Sequence, residues 1–323
     1  MPHPRPLPPH LGSLFSVREA QKAGIDAGRL RRADLRTPFR GVRATSTTAD
    51  DDVLDPFERQ RVERRIRAYE YGPRLRSHQF LSHESAVALW GGPMPLTLIG
   101  GRPADGRALP VHVSTLGDGP LVRVVGVQAH RQRAASTRLV GAPGLVVASP
   151  EDTFAALGRW ELIHLVALGD FFCRAWRTGH GRPDAGKSPH STVARLRAAI
   201  DDHRRTGANR LRQALELIRE DSWSPRESEL RCRIVGAGLP EPELNRDIYD
   251  ADGRFLGCFD LTYPRHKVAI EYHGMLHAGR YAEDVERIAA LRAAGWTVIE
   301  VTSALFARPD ELIARIRHAL AAG

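Results

Sequence analysis

The sequence predicts a multidomain α+β protein, and three observations carry that prediction. At 323 residues the chain exceeds what one compact core usually holds, so two or three domains are expected. Its 42% apolar and 26% charged content is ordinary for a globular protein and excludes a largely disordered or fibrous chain. Strand-like and helix-like stretches both recur along it, and no apolar run approaches the roughly 18 residues of a membrane span, so no membrane partner is expected. Cys173, Cys232 and Cys258 are odd in number, far apart and in no CxxC pair. They speak against a disulfide scaffold or a cysteine zinc site and suit a reducing, cytoplasmic setting. The opening MPHPRPLPPH has no apolar segment of the kind a secretory signal needs.

The net charge of +9 is unevenly spread. Residues 227–323 hold 12 basic and 15 acidic side chains, leaving 35 against 23 in the first 226. A basic front and a mildly acidic back suggest a nucleic-acid-facing part joined to a part that handles cations. Only Lys22, Lys187 and Lys267 are lysine; the rest of the basic set is arginine, a bias that genome composition alone could produce.

Residues 1–12 read as a disordered tail, and residues 13–50 as a winged helix-turn-helix. Ser16 and Glu19 form a capping box that opens a short helix ending at Gly24, and Asp26 caps a second helix to about Arg32. Leu35–Val42 is able to form the small hairpin of a wing. Eight basic residues against three acidic ones lie between Arg18 and Arg43. Arg29, Arg31, Arg32 and Arg40 are the candidate DNA-binding residues, with a helical adaptor carrying merely solvated arginines as the alternative.

Residues 51–205 read as a mixed α/β middle domain. After an acidic linker at Asp50–Asp52, Asp55-Pro56 starts a charged helix to about Tyr71. A short helix is expected near Ser82–Trp90, strands at Leu109–Ser114 and Leu121–Val127, and one amphipathic helix from Asp152 to about Arg177. Gly181-x-x-x-x-Gly186-Lys187-Ser188 matches a phosphate-loop pattern, but helical residues precede it and Pro189 follows it. Phosphate cradling needs a buried strand before the loop and a helix directly after, so the match reads as chance within a linker.

Residues 206–323 carry the chemistry. Ser224-Pro225 opens a helix to about Val235, followed by strands at Leu244–Tyr249 and Phe255–Tyr263 joined by an Asp252-Gly253 turn. Strand Lys267–Tyr272, helix Arg280–Ala294, strand Trp296–Val301 and helix Pro309–Ala321 complete an α-β-β-β-α-β-α order. Asp260 and Glu271 fall on adjacent strands, and His273, two beyond Glu271, shares its face. Paired carboxylates beside a proton-handling group are what metal-dependent phosphodiester hydrolysis uses. Glu227 could equally be a charge favoured at a helix N-terminus, and His277 an ordinary surface histidine. Arg280 and Arg287 share a helix face and could grip phosphate or simply be solvated. Trp296 and Phe259 read as core.

This constellation resembles the PD-(D/E)xK nuclease superfamily, and within it the very-short-patch-repair-like endonuclease domains. The resemblance rests on ES-x-x-R (Glu227-Ser228, Arg231), FDLTYP (Phe259–Pro264), AIEYHG-x-x-H (Ala269–His277) and GWTVIEVT (Gly295–Thr302). It implies a restriction-endonuclease-like α/β domain and a catalytic group of Glu227, Asp260, Glu271, His273 and His277. Mg²⁺, or Mn²⁺ in its place, would be held by Asp260 and by Glu271 or the Tyr272 carbonyl. Glu227, His273 and His277 would activate water. The superfamily lysine is replaced by His273, the repair enzymes' structural zinc cluster has no counterpart, and Glu300 stands where related domains often carry a basic residue.

The front, Phe15–Arg43 together with SHESAVALWG (Ser82–Gly91), is similar to abortive-infection type antitoxins, which implies promoter-DNA binding and a partner protein in a defence or toxin–antitoxin system. The expected function is therefore a Mg²⁺-dependent DNA endonuclease whose basic front positions DNA. The alternative is a DNA-binding regulator or antitoxin with an inert nuclease-like domain.

Overall fold

The chain divides near residue 158. In the computed structural model, which describes residues 6–45, 55–134, 137–142, 145–273 and 281–322, one unit comprises the chain through Leu157 with Asp201–Arg205, and the other Gly158–Ile200 with the chain from Thr206. The architecture is mixed α and β in both, and no helix of the described residues is long and apolar enough to cross a membrane.

The first unit opens with β1 (Leu14–Ser16), α1 (Val17–Lys22), β2 (Leu35–Arg36) and β3 (Val42–Thr45), a small antiparallel sheet of order β1-β3-β2. The capping box forms: the Ser16 hydroxyl accepts from the Glu19 amide at 3.1 Å and the Glu19 carboxylate accepts from the Ser16 amide at 2.8 Å. The second helix expected to Arg32 is reduced to a 3-10 turn at Arg29–Arg31. Asp26 does accept from the Arg29 amide, but the Arg29 guanidinium turns to Asp34 and the chain becomes extended at Arg32. The tail expected to be disordered through residue 12 instead forms a 3-10 turn at Pro9–Leu11. Leu7 and Leu11 are apolar anchors among the prolines and pack against the Phe15, Ala20, Leu30 and Leu35 cluster.

Next come α2 (Pro56–Tyr71), β4 (Gln79–Leu81), α3 (His83–Trp90), the small hairpin β5 (Leu98–Ile99) and β6 (Arg102–Pro103), β7 (Val111–Leu116), β8 (Val127–Gln132), β9 (Leu139–Ala142), β10 (Leu145–Ala148) and α4 (Pro150–Ala156). Asp55 caps α2 by accepting from the Phe57 and Glu58 amides. The main sheet is five-stranded and mixed, of order β8-β7-β4-β10-β9. The strand expected at Leu121–Val127 lies later. Val122 and Val124 bury against the core without pairing, and the ladder starts at Val127 opposite Val111. Phe39 and Val42 share one apolar cluster with Tyr71, Phe80 and Val111, and Phe39 meets Tyr71 edge-on at 5.1 Å. The front and middle regions therefore fold around a common core instead of separating at residue 50. The acidic linker Asp50–Asp52 lies outside the described residues.

The second unit contains α5 (Leu162–Cys173), α6 (Val193–Asp201), α7 (Ala208–Leu217), α8 (Pro225–Gly236), β11 (Glu243–Tyr249), β12 (Phe255–Tyr263), β13 (Val268–His273), α9 (Tyr281–Ala293), β14 (Thr297–Thr302), α10 (Ser303–Phe306) and α11 (Pro309–Ala322). The one helix expected over residues 152–177 is two, α4 and α5. The break includes Gly158, where any Cβ would lie 2.1 Å from the Thr206 carbonyl oxygen, so only glycine permits the close approach. This unit starts well before the boundary expected at 205/206, because α5 packs against α7 and α8. The 181–188 loop has neither a strand before it nor a helix directly after it, and Lys187 pairs with Asp184 at 3.4 Å, so it has none of the framework of a phosphate loop.

The sheet order is β11-β12-β13-β14, antiparallel except for the parallel β13–β14 pair. Leu230 and Ile234 of α8 and Leu312, Ile313 and Ile316 of α11 cover one face. On the other, Ala290 and Leu291 of α9 cover Phe259, Ala269, Trp296 and Val298; Phe259 is core, and Trp296, half-buried, packs against it.

One buried charge ties the helices together. The Asp170 carboxylate on α5 accepts from the Ser228 hydroxyl at 2.7 Å, the Arg231 guanidinium at 3.3 Å and the Arg219 amide at 2.7 Å. Arg231 is 1% exposed and also reaches the Leu217 carbonyl and Glu241. Asp170→Ala would leave that guanidinium only the partly exposed Glu241 as an anion and would remove the acceptor of the Ser228 hydroxyl and the Arg219 amide. A loss of about 3–5 kcal/mol in unfolding free energy is expected, measured by urea titration.

Candidate active site

The site is built by strand register. Leu261 pairs with Ile270, so one residue further along the antiparallel pair Asp260 stands opposite Glu271. Glu271 in turn pairs with Glu300 across the parallel strands, and Leu244–Leu261 and Arg246–Phe259 set Asn245 opposite Asp260. Asn245, Asp260, Glu271 and Glu300 thus form a polar row across all four strands. Directly opposed side chains share a face with Cβ atoms about 4.5–5.5 Å apart, so Asp260, Glu271 and Glu300 look the same way.

Backbone and side chain interlock at the centre. Asp260 Oδ2 accepts from the Tyr272 amide at 2.8 Å, and Glu271 Oε2 from the Asp260 amide at 3.3 Å. Glu271 Oε1 accepts from the Arg287 guanidinium of α9 at 2.8 Å. Burial, then the carboxylates of Glu271 and Glu227, push the Asp260 carboxyl well above the usual range, while the Tyr272 amide and Arg287 oppose the shift. A carboxyl in that setting is short of positive charge.

Glu227 is buried, and burial raises its pKa against the bonds that hold it. It accepts from the Trp223 amide at 2.8 Å and from Asn245 Nδ2 at 2.5 Å, and its own amide donates to the Ser224 hydroxyl that caps α8. The position expected to activate water is therefore anchored at a helix start and acts on Asp260 through its field. Asn245, at φ 47°, adopts the left-handed conformation that asparagine tolerates, and this turns its amide to Glu227 and to the Asp221 carbonyl.

His273 follows Glu271 on its face, with Nε2 3.4 Å from Glu300 Oε2, an ion-pair distance without hydrogen-bond geometry. Glu300 is held by Arg292 at 2.7 Å. The Tyr272 ring turns the other way and meets Phe306 at 5.4 Å. Arg287, expected as a phosphate grip, is engaged with Glu271 and lies over the Phe259 ring. His277 and Arg280 lie outside the described residues. In the first unit Arg31, Arg32 and Arg40 are exposed, whereas the Arg29 side chain is 9% exposed and bound to Asp34 at 2.8 Å.

Sequence reasoning missed Asn245 and the Arg287–Glu271 pair. The first had no signal, since Asn245 is one of three consecutive polar residues, Asn245, Arg246 and Asp247, between Leu244 and Ile248. The second had no signal beyond the seven-residue spacing of Arg280 and Arg287.

No family model matches the chain. No solved structure matches it either. Two Mycobacterium tuberculosis proteins, "Uncharacterized protein MT2308" of strain CDC 1551 and "Uncharacterized protein Rv2248" of strain H37Rv, are each 32% identical to it over 126 residues. The match covers 38% of this chain and 46% of each relative, so the chain spans less than half the length of the curated relatives it matches.

The crowding of acids predicts a trade-off. Asp260→Asn keeps the shape and the bond from the Tyr272 amide while removing a charge that Glu271 and Glu227 repel, so it should raise thermal stability. A folded-state pKa above the ordinary value of about 4 favours the wild-type fold below that pH and penalises it as pH rises through the raised value. The variant's advantage should therefore be largest near neutrality and vanish on acidification, in melting curves recorded across that range.

Proposed function

We propose that the chain is a Mg²⁺-dependent DNA endonuclease, with its C-terminal unit built on a restriction-endonuclease-like core and its front on a winged helix that positions DNA. The observation that carries this reading is the Asp260–Glu271 pair, opposed across β12 and β13 in a domain of helix-three strands-helix-strand-helix order. The small β1-β3-β2 sheet with α1 supports the winged-helix part.

The residues fit a hard divalent cation. Two carboxylates and a backbone carbonyl are oxygen donors of the kind Mg²⁺ prefers, and the raised pKa of Asp260 reflects a local shortage of positive charge. Asp260 and Glu271 would hold the ion, with the Tyr272 carbonyl beside them. Bound there, Mg²⁺ would neutralise phosphate charge and make water more acidic. The chain's own groups do the rest. His273, next along the face and beside Glu300, takes a proton from water at an imidazole nitrogen; Glu300 steadies the imidazolium so formed. Arg287 orients Glu271 and limits repulsion between the two acids. Glu227 and Asn245 fix the end of α8 against β11 and add negative field at Asp260.

Cleavage assays with single-stranded, duplex and mismatched DNA in Mg²⁺ or Mn²⁺ test the reading. Wild-type protein should cut, and Asp260→Ala should reduce cutting to background while leaving DNA binding intact. His273→Lys separates two roles: activity survives if the site needs only a cation there, and is lost if it needs a neutral base. Absence of cleavage on every substrate would favour a DNA-binding regulator or antitoxin with an inert domain.

The front makes a separate prediction on the full chain. Replacing Arg31, Arg32 and Arg40 by alanine should flatten the dependence of log affinity on log salt by about 0.9 for each phosphate no longer neutralised. Arg29→Ala should change it little, because its guanidinium is committed to Asp34.

A further inference from the structure

We infer that His83, His112 and His130 form a zinc site in the first unit, independent of the carboxylate site and of the nuclease reading. The three come from different elements: His83 is the first residue of α3, His112 lies on β7 and His130 on β8. Each offers a nitrogen, and these atoms all lie within 4.8 Å of one another. His112 Nδ1 is 2.9 Å from His130 Nε2, and the His83 and His130 rings stack at 3.6 Å. Tetrahedral zinc with bonds of about 2.0–2.1 Å sets its ligand nitrogens roughly 3.3 Å apart, so a small opening of the cluster admits the ion.

Three imidazoles in mutual contact are poor core material. Each is half-buried, and none can be charged without repelling the other two. The neutral imidazole, the form that spares the cluster this repulsion, is also the form that ligates a metal. Ligand orientation is also provided for. The Ser82 hydroxyl is 3.0 Å from His83 Nδ1 and accepts from the Ser114 hydroxyl at 2.8 Å; by accepting Nδ1–H with its second lone pair it would leave the His83 lone pair on Nε2. The Glu84 carboxylate, 3.0 Å from His112 Nδ1, brings negative charge to the cluster and offsets Arg64, whose charge also acts on His112.

Backbone strain points the same way. His83 sits at φ 48°, a left-handed conformation that L residues rarely adopt, at the start of a helix. Such strain persists where a site over-determines it. Nitrogen-only donors with a single nearby carboxylate favour zinc over the hard Mg²⁺ expected at Asp260 and Glu271.

Untagged full-length protein incubated with excess Zn²⁺ and then desalted should retain about one zinc per chain by elemental analysis, and Co²⁺ in its place should give the visible bands of a tetrahedral nitrogen site with no thiolate charge transfer. The double variant His112→Ala/His130→Ala should lose the metal. Asp260→Ala should keep it, which separates this site from the carboxylates whatever the outcome of the cleavage assays. Circular dichroism checks that the double variant folds; if it does not, His130→Gln replaces it and should lose the metal likewise. Wild-type protein retaining no zinc after desalting would overturn the inference, as would zinc retained by a folded variant.

Discussion

The pairing of Leu261 with Ile270 is the constraint on which the C-terminal site depends. Strand side chains alternate, so a slip of one residue would send Asp260 or Glu271 into the apolar layer under α8 and α11 and bring Leu261 or Ile270 out. That alternative is blocked because Leu261, Ile270, Ile299 and Val301 are all buried in that layer. The hydrophobic effect thus sets the register, and the register sets the acids. The interlocked amide bonds between Asp260, Glu271 and Tyr272 follow from the pairing and refine it.

The second organising interaction is the buried Asp170–Arg231 pair. ES-x-x-R divides its labour along one helix. Glu227 faces the acids through Asn245, while Ser228 and Arg231 take hold of Asp170 on α5. A motif that resemblance connects with catalysis is, for two of its three marked residues, a clasp between helices. This explains why the unit begins at Gly158, since α5 and α7 close the surface on which α8 is fixed.

Much of the C-terminal domain could be read from its residues because its signals are local. Pro225 after a capping Ser224, the Asp252-Gly253 turn, and Gly295 after a helix each mark an end that the structure keeps to within a residue or two. What could not be read depends on pairings distant in sequence. Counting along from the Tyr249–Phe255 pair beside the turn would set Asn245 against Phe259; the irregularity at Ile248/Tyr249 moves it to Asp260. The break between α4 and α5 needed knowledge of Thr206, and the loss of the second front helix needed the reach of Arg29 to Asp34. The histidine cluster was equally hidden, since His83, His112 and His130 meet only once β4, β7 and β8 are laid side by side.

The path of the chain itself has an evolutionary consequence. Asp201–Arg205 belongs to the first unit although the segments on both sides of it belong to the second. Arg205 there supplies the guanidinium 3.0 Å from the buried Asp152 carboxylate. A gene fragment ending at 157 would encode Asp152 without that counterion, and one beginning at 206 would lack α5 and the Asp170 that Arg231 needs. A crossover at either point therefore strands a buried charge unless the incoming segment brings an equivalent counterion, which narrows the sequences with which either half could be exchanged.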